Sequence, residues 1–418
     1  MNNPYRQLFV TPGTLGFALA GLLARMALPM TGIGIITLLA QLRGSYALAG
    51  AVSATFVLTY ALLSPRISRL VDRHGQRRVL PLATAISVSG LLLLLAASWW
   101  RSGDWSLYLG AFLAGFMPSV SAMVRARWTT LYRGQPKLQT AFSLETVFDE
   151  VSFIAGPPLS VGLAVAWFAQ AGLVLAALLL ATGVLALVAQ RGSEPPVDHA
   201  SHNGGSMLRL GEVRLLTLFM LAMGVIVGTV DIVSVAFAAQ HGQPAAASLV
   251  LAAYATGSCL AGLAFGAIRL QQPLHRLLLL GGAATALATL PLLLVGTIPV
   301  LALTVLVAGV FFAPSMIVAM SLVERVVPEQ RLTEGMTWLL AGLNVGVAVG
   351  AALSGQVLDS AGTRAGFSVA VAAAGLLCVL AAWGYLRLRA PAREADSPVR
   401  QDRPDQPGIT PVERIGAQ

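Results

Sequence analysis

The sequence predicts an all-α membrane protein with twelve transmembrane helices arranged as two six-helix bundles. Of its 418 residues, 56% are apolar and only 11% are charged, whereas a soluble globular domain carries roughly 25% charged residues. Apolar stretches long enough to cross a bilayer, about 20 residues each, occur six times on either side of one polar interval. We therefore expect a multi-pass protein that lies within the lipid bilayer.

Short polar connections separate the predicted spans. In chain order the spans cover residues 14–40, 46–65, 78–100, 105–124, 138–168, 171–190, 214–239, 245–268, 275–297, 299–323, 333–358 and 365–387. The first apolar run is longer than the core of a signal peptide and has no A-x-A exit, so we expect it to remain as the first helix.

One long polar interval, rich in Pro, Gly and Ser, divides the chain into two domains. Residues 1–190 form the predicted N-terminal bundle, 191–213 a cytoplasmic linker and 214–388 the C-terminal bundle. Residues 389–418 combine proline and charge with few large apolar side chains, which predicts a disordered cytoplasmic tail.

A weak internal repeat supports this division. The stretch "FMPSVSAMV" beginning at Phe116 resembles "FAPSMIVAM" beginning at Phe312 in the corresponding span of the second half. Paired helical halves place a substrate site at their interface, near the middle of the membrane.

The net charge of +9 is explained by topology. If both termini are cytoplasmic, 23 of the 27 lysines and arginines lie on the cytoplasmic side, as the positive-inside rule requires. The connection after the fourth span is assigned Arg125, Arg127, Arg133 and Lys137. The basic charge therefore needs no nucleic-acid partner, and we expect a bacterial-type inner membrane as the location.

The segment "SRLVDRHGQRRVL", Ser68 to Leu80, connects the second and third spans. It resembles the cytoplasmic signature of the major facilitator superfamily, G-x-L-A-D-R-x-G-R-[RK]-x-x-L, although Ser68 stands where the family prefers Gly and Gln76 replaces an Arg. The resemblance covers about residues 10 to 388. It implies that the chain transports a solute by alternating access.

The same segment is a candidate cytoplasmic gate formed by Asp72, Arg73, Gly75 and Arg77. Gly75 can adopt a positive φ in a tight turn, and the arginines favour the anionic membrane face. The family resemblance implies that Asp72 meets the N-terminus of the eleventh span, where free N–H groups carry partial positive charge. Glu334 lies beside that terminus and is expected to repel Asp72.

Five charged residues fall inside predicted spans: Arg25, Glu145, Asp149, Glu150 and Asp231. Ionised groups in the bilayer usually face a cavity or a partner. Arg25 and Asp149 each lie about 11 residues, ~16 Å, from the cytoplasmic ends of their spans. An ion pair of Arg25 with Asp149 or Glu150 is therefore allowed.

Two interpretations of this set remain open. Desolvation favours the neutral acid and a nearby arginine favours the carboxylate, so the cluster could take up and release protons. It could equally be a static brace, with Glu145 at a gate or interface. Asp231 could line the cavity from the second half or be a polar residue of the outer gate.

The stretch "GPPLSVG", Gly156 to Gly162, follows the acidic cluster. Gly156 and Pro157 partly resemble the span-five G-P-x-x-G signature of antiporters in the superfamily, with Ser160 in place of the second Gly. Proline kinks a helix and glycine permits close approach. An ordinary helix kink is the alternative.

These observations predict a proton-driven exporter of a small organic solute. The alternatives are a proton-coupled uptake symporter and a transporter-like receptor without flux. No nucleophile with a base and no metal-ligand spacing of histidines or cysteines is visible in the sequence, so we expect no enzyme activity, no cofactor and no metal. The expected partners are the solute, protons and lipid, and the expected state is a monomer.

Overall fold

The computed structural model describes residues 4–43, 46–100, 103–197, 205–243, 246–268 and 272–388, and every regular element in these ranges is helical. The helices are α1 (Pro4–Leu8), α2 (Thr14–Arg43), α3 (Tyr46–His74), α4 (Gln76–Trp99), α5 (Asp104–Ala114), α6 (Val120–Tyr132), α7 (Lys137–Ala166), α8 (Ala171–Ala189), α9 (Gly211–Gln240), α10 (Ala246–Ala267), α11 (Leu274–Thr289), α12 (Ile298–Val326) and α13 (Leu332–Leu388). Short 3-10 turns occur at Arg191–Ser193, Met207–Arg209, Leu290–Leu294 and Glu329–Arg331. The predicted disordered tail lies outside the described residues.

Ten helical stretches in the described ranges are long and apolar enough to cross a membrane. Two of them belong to α13, whose backbone is broken at Gly362 with φ 82° and ψ 178°. The predicted fourth span is divided between α5 and α6, and the predicted fifth span is the 30-residue α7 with its three carboxylates. Neither is among the ten, so the structure confirms an all-helical membrane fold without fixing the number of crossings at twelve.

The fourth predicted span is interrupted at residues 115–119, around Pro118. Proline lacks a backbone N–H and disfavours a helical conformation in the residue before it. Helix α6 then runs on to Tyr132, so Arg125 and Arg127 lie inside a helix and are 0% and 1% exposed. Their assignment to a connection between helices was wrong. A charged residue can remain inside a helical bundle when it forms ion pairs or hydrogen bonds there, so it need not mark the end of a span.

Helices α9 and α13 pack backbone against backbone in the second half of the chain. A Cβ atom on Gly224 or Gly228 of α9 would overlap a carbonyl oxygen of α13, and one on Gly346 or Gly350 of α13 would overlap a carbonyl oxygen of α9. Small residues at such crossings allow the close contact that stabilises helices in lipid.

Several side chains join the first half of the chain (α1–α8) to the second half (α9–α13) at the end of the bundle where Asp72 lies, which we call the Asp72 end. Tyr5 donates to the Leu263 carbonyl at 2.6 Å, and Thr140 donates to the Gly266 carbonyl at 2.7 Å. Arg133 pairs with Glu329 at 2.8 Å. The two halves are therefore in contact at this end.

Candidate functional site

Arg25 of α2 lies at the centre of a buried ion cluster with α7. Its guanidinium pairs with Glu145, which is fully buried, and donates to Asp149 at 2.9 Å. It also donates to the Glu145 carbonyl at 3.1 Å. The expected ion pair between Arg25 and Asp149 is thus present, whereas Glu150 does not take part in it.

Arg125 of α6 completes this cluster, and the sequence-based site set did not include it. Its guanidinium lies 2.7 Å from the second carboxylate oxygen of Asp149, while Ser121 donates to the first oxygen. Ser121, Arg125 and Thr129 lie four residues apart, on one face of a helix. That spacing continues the polar face of the fourth span past its predicted end, and it was the signal available in the sequence.

Glu145 lies inside the helical bundle and is fully buried. The indole N–H of Trp128 donates to its carboxylate at 2.8 Å, and the Phe17 ring packs edge-on against Trp128 at 4.5 Å. The cluster therefore holds two arginines and two carboxylates, so its charges balance within the first half of the chain.

Glu150 lies outside this balance and faces the second half. It accepts a hydrogen bond of 2.9 Å from Ser258 of α10, and no lysine or arginine of the described residues forms an ion pair with it. Asp231 of α9 is close enough for its charge to act on Glu150. Asp231 likewise has no ion pair with a described residue, so the boundary between the halves carries two acids without cations.

The predicted gate contact is present at the Asp72 end. The carboxylate of Asp72 accepts from the backbone N–H of Glu334 at 2.8 Å and from Thr333. These donors belong to the first turn of α13, where unpaired N–H groups favour an anion. A side chain of the first half thus caps a helix of the second half.

The charge of Glu334 acts on Asp72 as expected, and two cations that pair with the Glu334 carboxylate offset it. Arg69 lies 2.7 Å from one of its oxygens and Arg331 lies 2.8 Å from the other. The linker contributes as well, since the N–H of Met207 donates to Glu334 at 2.9 Å. Sequence reasoning missed Glu334 as the centre of a network that joins both halves and the linker.

The turn between α3 and α4 has the expected conformation at Gly75, with φ 85°. Its neighbour Arg77 acts here through its backbone, whose N–H donates to Glu194 of the linker at 2.9 Å. Gln76, which replaces an arginine of the family signature, accepts from Arg127 at 2.7 Å. Arg73 is half-buried at the end of α3.

Gly156 and Pro157 lie inside α7, which remains helical through both prolines of this segment. A Cβ atom on Gly156 would come within 3.0 Å of Pro29 of α2. Ser160 donates to the Met30 carbonyl of the same helix at 3.1 Å. The segment therefore fixes α7 closely against α2, next to the ion cluster.

The family model of the Major Facilitator Superfamily matches residues 17–238 and 215–415. The chain belongs to this superfamily. Its members are transporters of small molecules in lipid bilayers and are not enzymes. Among curated proteins no sequence matches this superfamily member.

Solved transporters share its fold at low sequence identity. The human organic anion transporter MFSD10 (TETRAN) superimposes with a TM-score of 0.69 and 16% identity over 91% of this chain and 100% of that one. A bacterial homologue of the iron transporter ferroportin in an outward-facing state superimposes with a TM-score of 0.72 and 15% identity, over 90% of this chain and 100% of that one. The E. coli fucose:proton symporter FucP superimposes with a TM-score of 0.69 and 14% identity, over 90% of this chain and 99% of that one.

Proposed function

We propose that this superfamily member is a proton-coupled exporter of a small organic solute that works by alternating access. In this proposal the segment from α5 to α6 and helix α7 also cross the bilayer, which adds two crossings to the ten apolar spans. The twelve crossings form two six-helix domains, residues 1–190 and 214–388, and the protein acts as a monomer.

The Asp72 end is the cytoplasmic end in this proposal. Arg66, Arg69, Arg73, Arg77 and Arg78 cluster at this turn, and basic connections remain in the cytoplasm of a bacterial-type inner membrane. Removing Arg125 and Arg127 from the connections leaves this bias in place, since Arg133 and Lys137 still lie at the same end. Contact between the halves at this end then corresponds to an outward-facing state.

Glu150 is the proton-coupling residue that the geometry supports best. The groups that face it are Ser258, Tyr254 and Cys259 of α10, Asp231 of α9 and Asp149 of its own helix. None of them is a cation, and a carboxylate in a low-dielectric setting without a cation favours its protonated form. Because Glu150 lies where the halves meet, movement of the halves changes its access to water.

Asp149 suits a structural role better. Two arginines contact its two oxygens, and a proton on Asp149 would leave a buried arginine without its counter-ion. Breaking a buried ion pair in this way costs about 3–5 kcal/mol. We therefore assign Arg25, Glu145, Asp149 and Arg125 to a brace that holds α2, α6 and α7 together.

The contacts around Asp72 and Glu334 act as the cytoplasmic gate in this mechanism. Opening this end separates Asp72 from the first turn of α13 and Arg69 from Glu334. Export by antiport is supported by Gly156 and Pro157, because these residues belong to the segment of α7 that partly resembles the antiporter signature. This segment packs closely against α2. Movement of solute in the same direction as protons would instead favour uptake by symport.

The test uses purified protein in liposomes that contain a pH-sensitive dye, challenged with organic cations, organic anions and neutral sugars. We expect one class of solute to drive proton movement in the opposite direction, and an imposed proton gradient to drive that solute uphill. Solute flux without proton movement would contradict coupling, and co-directional movement would contradict export.

A further inference from the structure

Three side chains from three helices surround the place where the halves meet beside the ion cluster. Glu150 comes from α7, Asp231 from α9 and Tyr254 from α10. The charge of Asp231 acts on Glu150, and the charges of both carboxylates act on the Tyr254 hydroxyl. Ser258, one turn after Tyr254, anchors Glu150 at 2.9 Å.

One buried hydroxyl near this region has no hydrogen-bond partner among the described residues. It belongs to Ser234, which is fully buried and lies one turn beyond Asp231 on α9. Tyr254 is 8% exposed. Buried polar groups usually have partners, so the Ser234 hydroxyl is available to donate a hydrogen bond to a ligand.

Tyr254 also belongs to an aromatic pair. The rings of Tyr254 and Phe312 lie 6.0 Å apart, and Phe312 is 7% exposed. Aromatic faces attract organic cations, and a cation also relieves the cost of two carboxylates in lipid. Within the described residues, no group of three His, Cys, Asp or Glu side chains could hold a metal ion.

We infer that Glu150, Asp231 and Tyr254 form the binding site for an organic cation with apolar substituents. The inference rests on the proposed function for the transport of solute through this region. Binding itself requires no proton gradient, so it can be tested when coupling fails.

The first experiment measures binding of tetraphenylphosphonium and benzyltrimethylammonium to protein in lipid nanodiscs. Tetraphenylborate is the matched anion, because it has the shape of tetraphenylphosphonium with the opposite charge. We expect at least one of the two cations to bind, and Glu150→Gln and Asp231→Asn to weaken that binding by about tenfold or more. Glu212→Gln should leave it unchanged, because Glu212 lies on the same helix as Asp231 but about 28 Å away along its axis.

Three results would overturn the inference: neither cation binds, the two variants bind as tightly as the wild type, or tetraphenylborate binds as tightly as its cationic counterpart. Cation binding by a wild-type protein that shows no proton-driven flux would contradict only the proposed coupling.

A second measurement needs no substitution and therefore does not depend on the folding of variants. Cys259 directly follows Ser258 on α10, and the charge of Glu150 acts on its thiol. Cys378 lies elsewhere, on α13, with its sulfur next to the Gly282 carbonyl. A saturating concentration of the bound cation should slow alkylation of Cys259 and leave Cys378 unchanged. Equal rates at Cys259 with and without the cation would contradict the site.

Discussion

Asp149 and Glu150 are adjacent acids on one helix, yet they lie in opposite environments. Asp149 is held by Arg25 and Arg125 within the first half of the chain. Among the described residues, Glu150 is held only by the hydroxyl of Ser258, across the boundary between the halves. Successive residues of a helix are rotated by about 100°, so one acid enters the balanced cluster and its neighbour faces the boundary between the halves.

In the mechanism we propose, position relative to cations, more than depth in the membrane, separates a structural acid from a functional one. The balanced cluster stabilises one half by itself. An acid at the boundary of the halves has no such partner, and its charge becomes available for a proton or a cationic solute. Removing the charge should therefore lower stability at Asp149 and impair transport, with little effect on stability, at Glu150.

The largest effect is expected from Asp149→Asn. It leaves Arg125 buried without a counter-ion, which should lower the stability of the protein by roughly 3–5 kcal/mol. Thermal unfolding in detergent measures this loss. Glu150→Gln is the matched control, because the same chemical change at the next residue removes no cation's partner and should leave the unfolding temperature nearly unchanged.

The double variant Arg125→Gln with Asp149→Asn sharpens this prediction. It removes one charge of each sign and leaves Arg25 paired with Glu145. We expect most of the stability to return. A double variant that is less stable than Asp149→Asn alone would contradict the view of the cluster as a charge-balanced brace.

A smaller effect is expected at the Asp72 end. Asp72→Asn keeps an acceptor for the Glu334 N–H but loses the charge that favours the start of α13, a change of about 1 kcal/mol or about fivefold in population. A cysteine introduced at Ser143, which is buried against Gly266 of α10, should react faster with a thiol reagent.

Asp104→Asn is the control for this gate. Asp104 is paired loosely with Arg43, at 3.9 Å, within the first half, so its loss should not change the reactivity at position 143. Equal reactivity in the Asp72→Asn variant and the wild type would show that the contact with α13 does not hold this end closed.

The smallest effect is expected from Tyr5→Phe, which removes one hydrogen bond between the halves. Burial raises the pKa of Tyr5 to about 12, so the hydroxyl remains a donor to the Leu263 carbonyl at neutral pH. Its loss should shift the same cysteine reporter in the same direction by about 1 kcal/mol or less. A larger shift than that of Asp72→Asn would reverse the ranking of the two contacts.

Apolar length predicted the helical membrane fold, and the family resemblance carried by the motif implied the contact of Asp72 with the start of α13. It did not predict Arg125, since a charged residue was taken to end a span, and only the contact with Asp149 shows why the helix continues. It also did not predict how the charge of Glu334 is offset, because Arg69 and Arg331, the side chains that pair with it, come from distant and neighbouring parts of the chain. Pairing between distant residues depends on helix rotation, which an isolated sequence does not specify.

The most direct test of the central claim, that Glu150 and not Asp149 carries the coupled proton, is solute flux driven by a pH gradient in liposomes. It compares Glu150→Gln with the double variant Arg125→Gln and Asp149→Asn. We predict that Glu150→Gln loses gradient-driven flux but retains exchange of solute for solute at a solute concentration raised to offset its weaker binding, and that the double variant retains both. Gradient-driven flux that persists in Glu150→Gln and disappears in a folded double variant would contradict the claim.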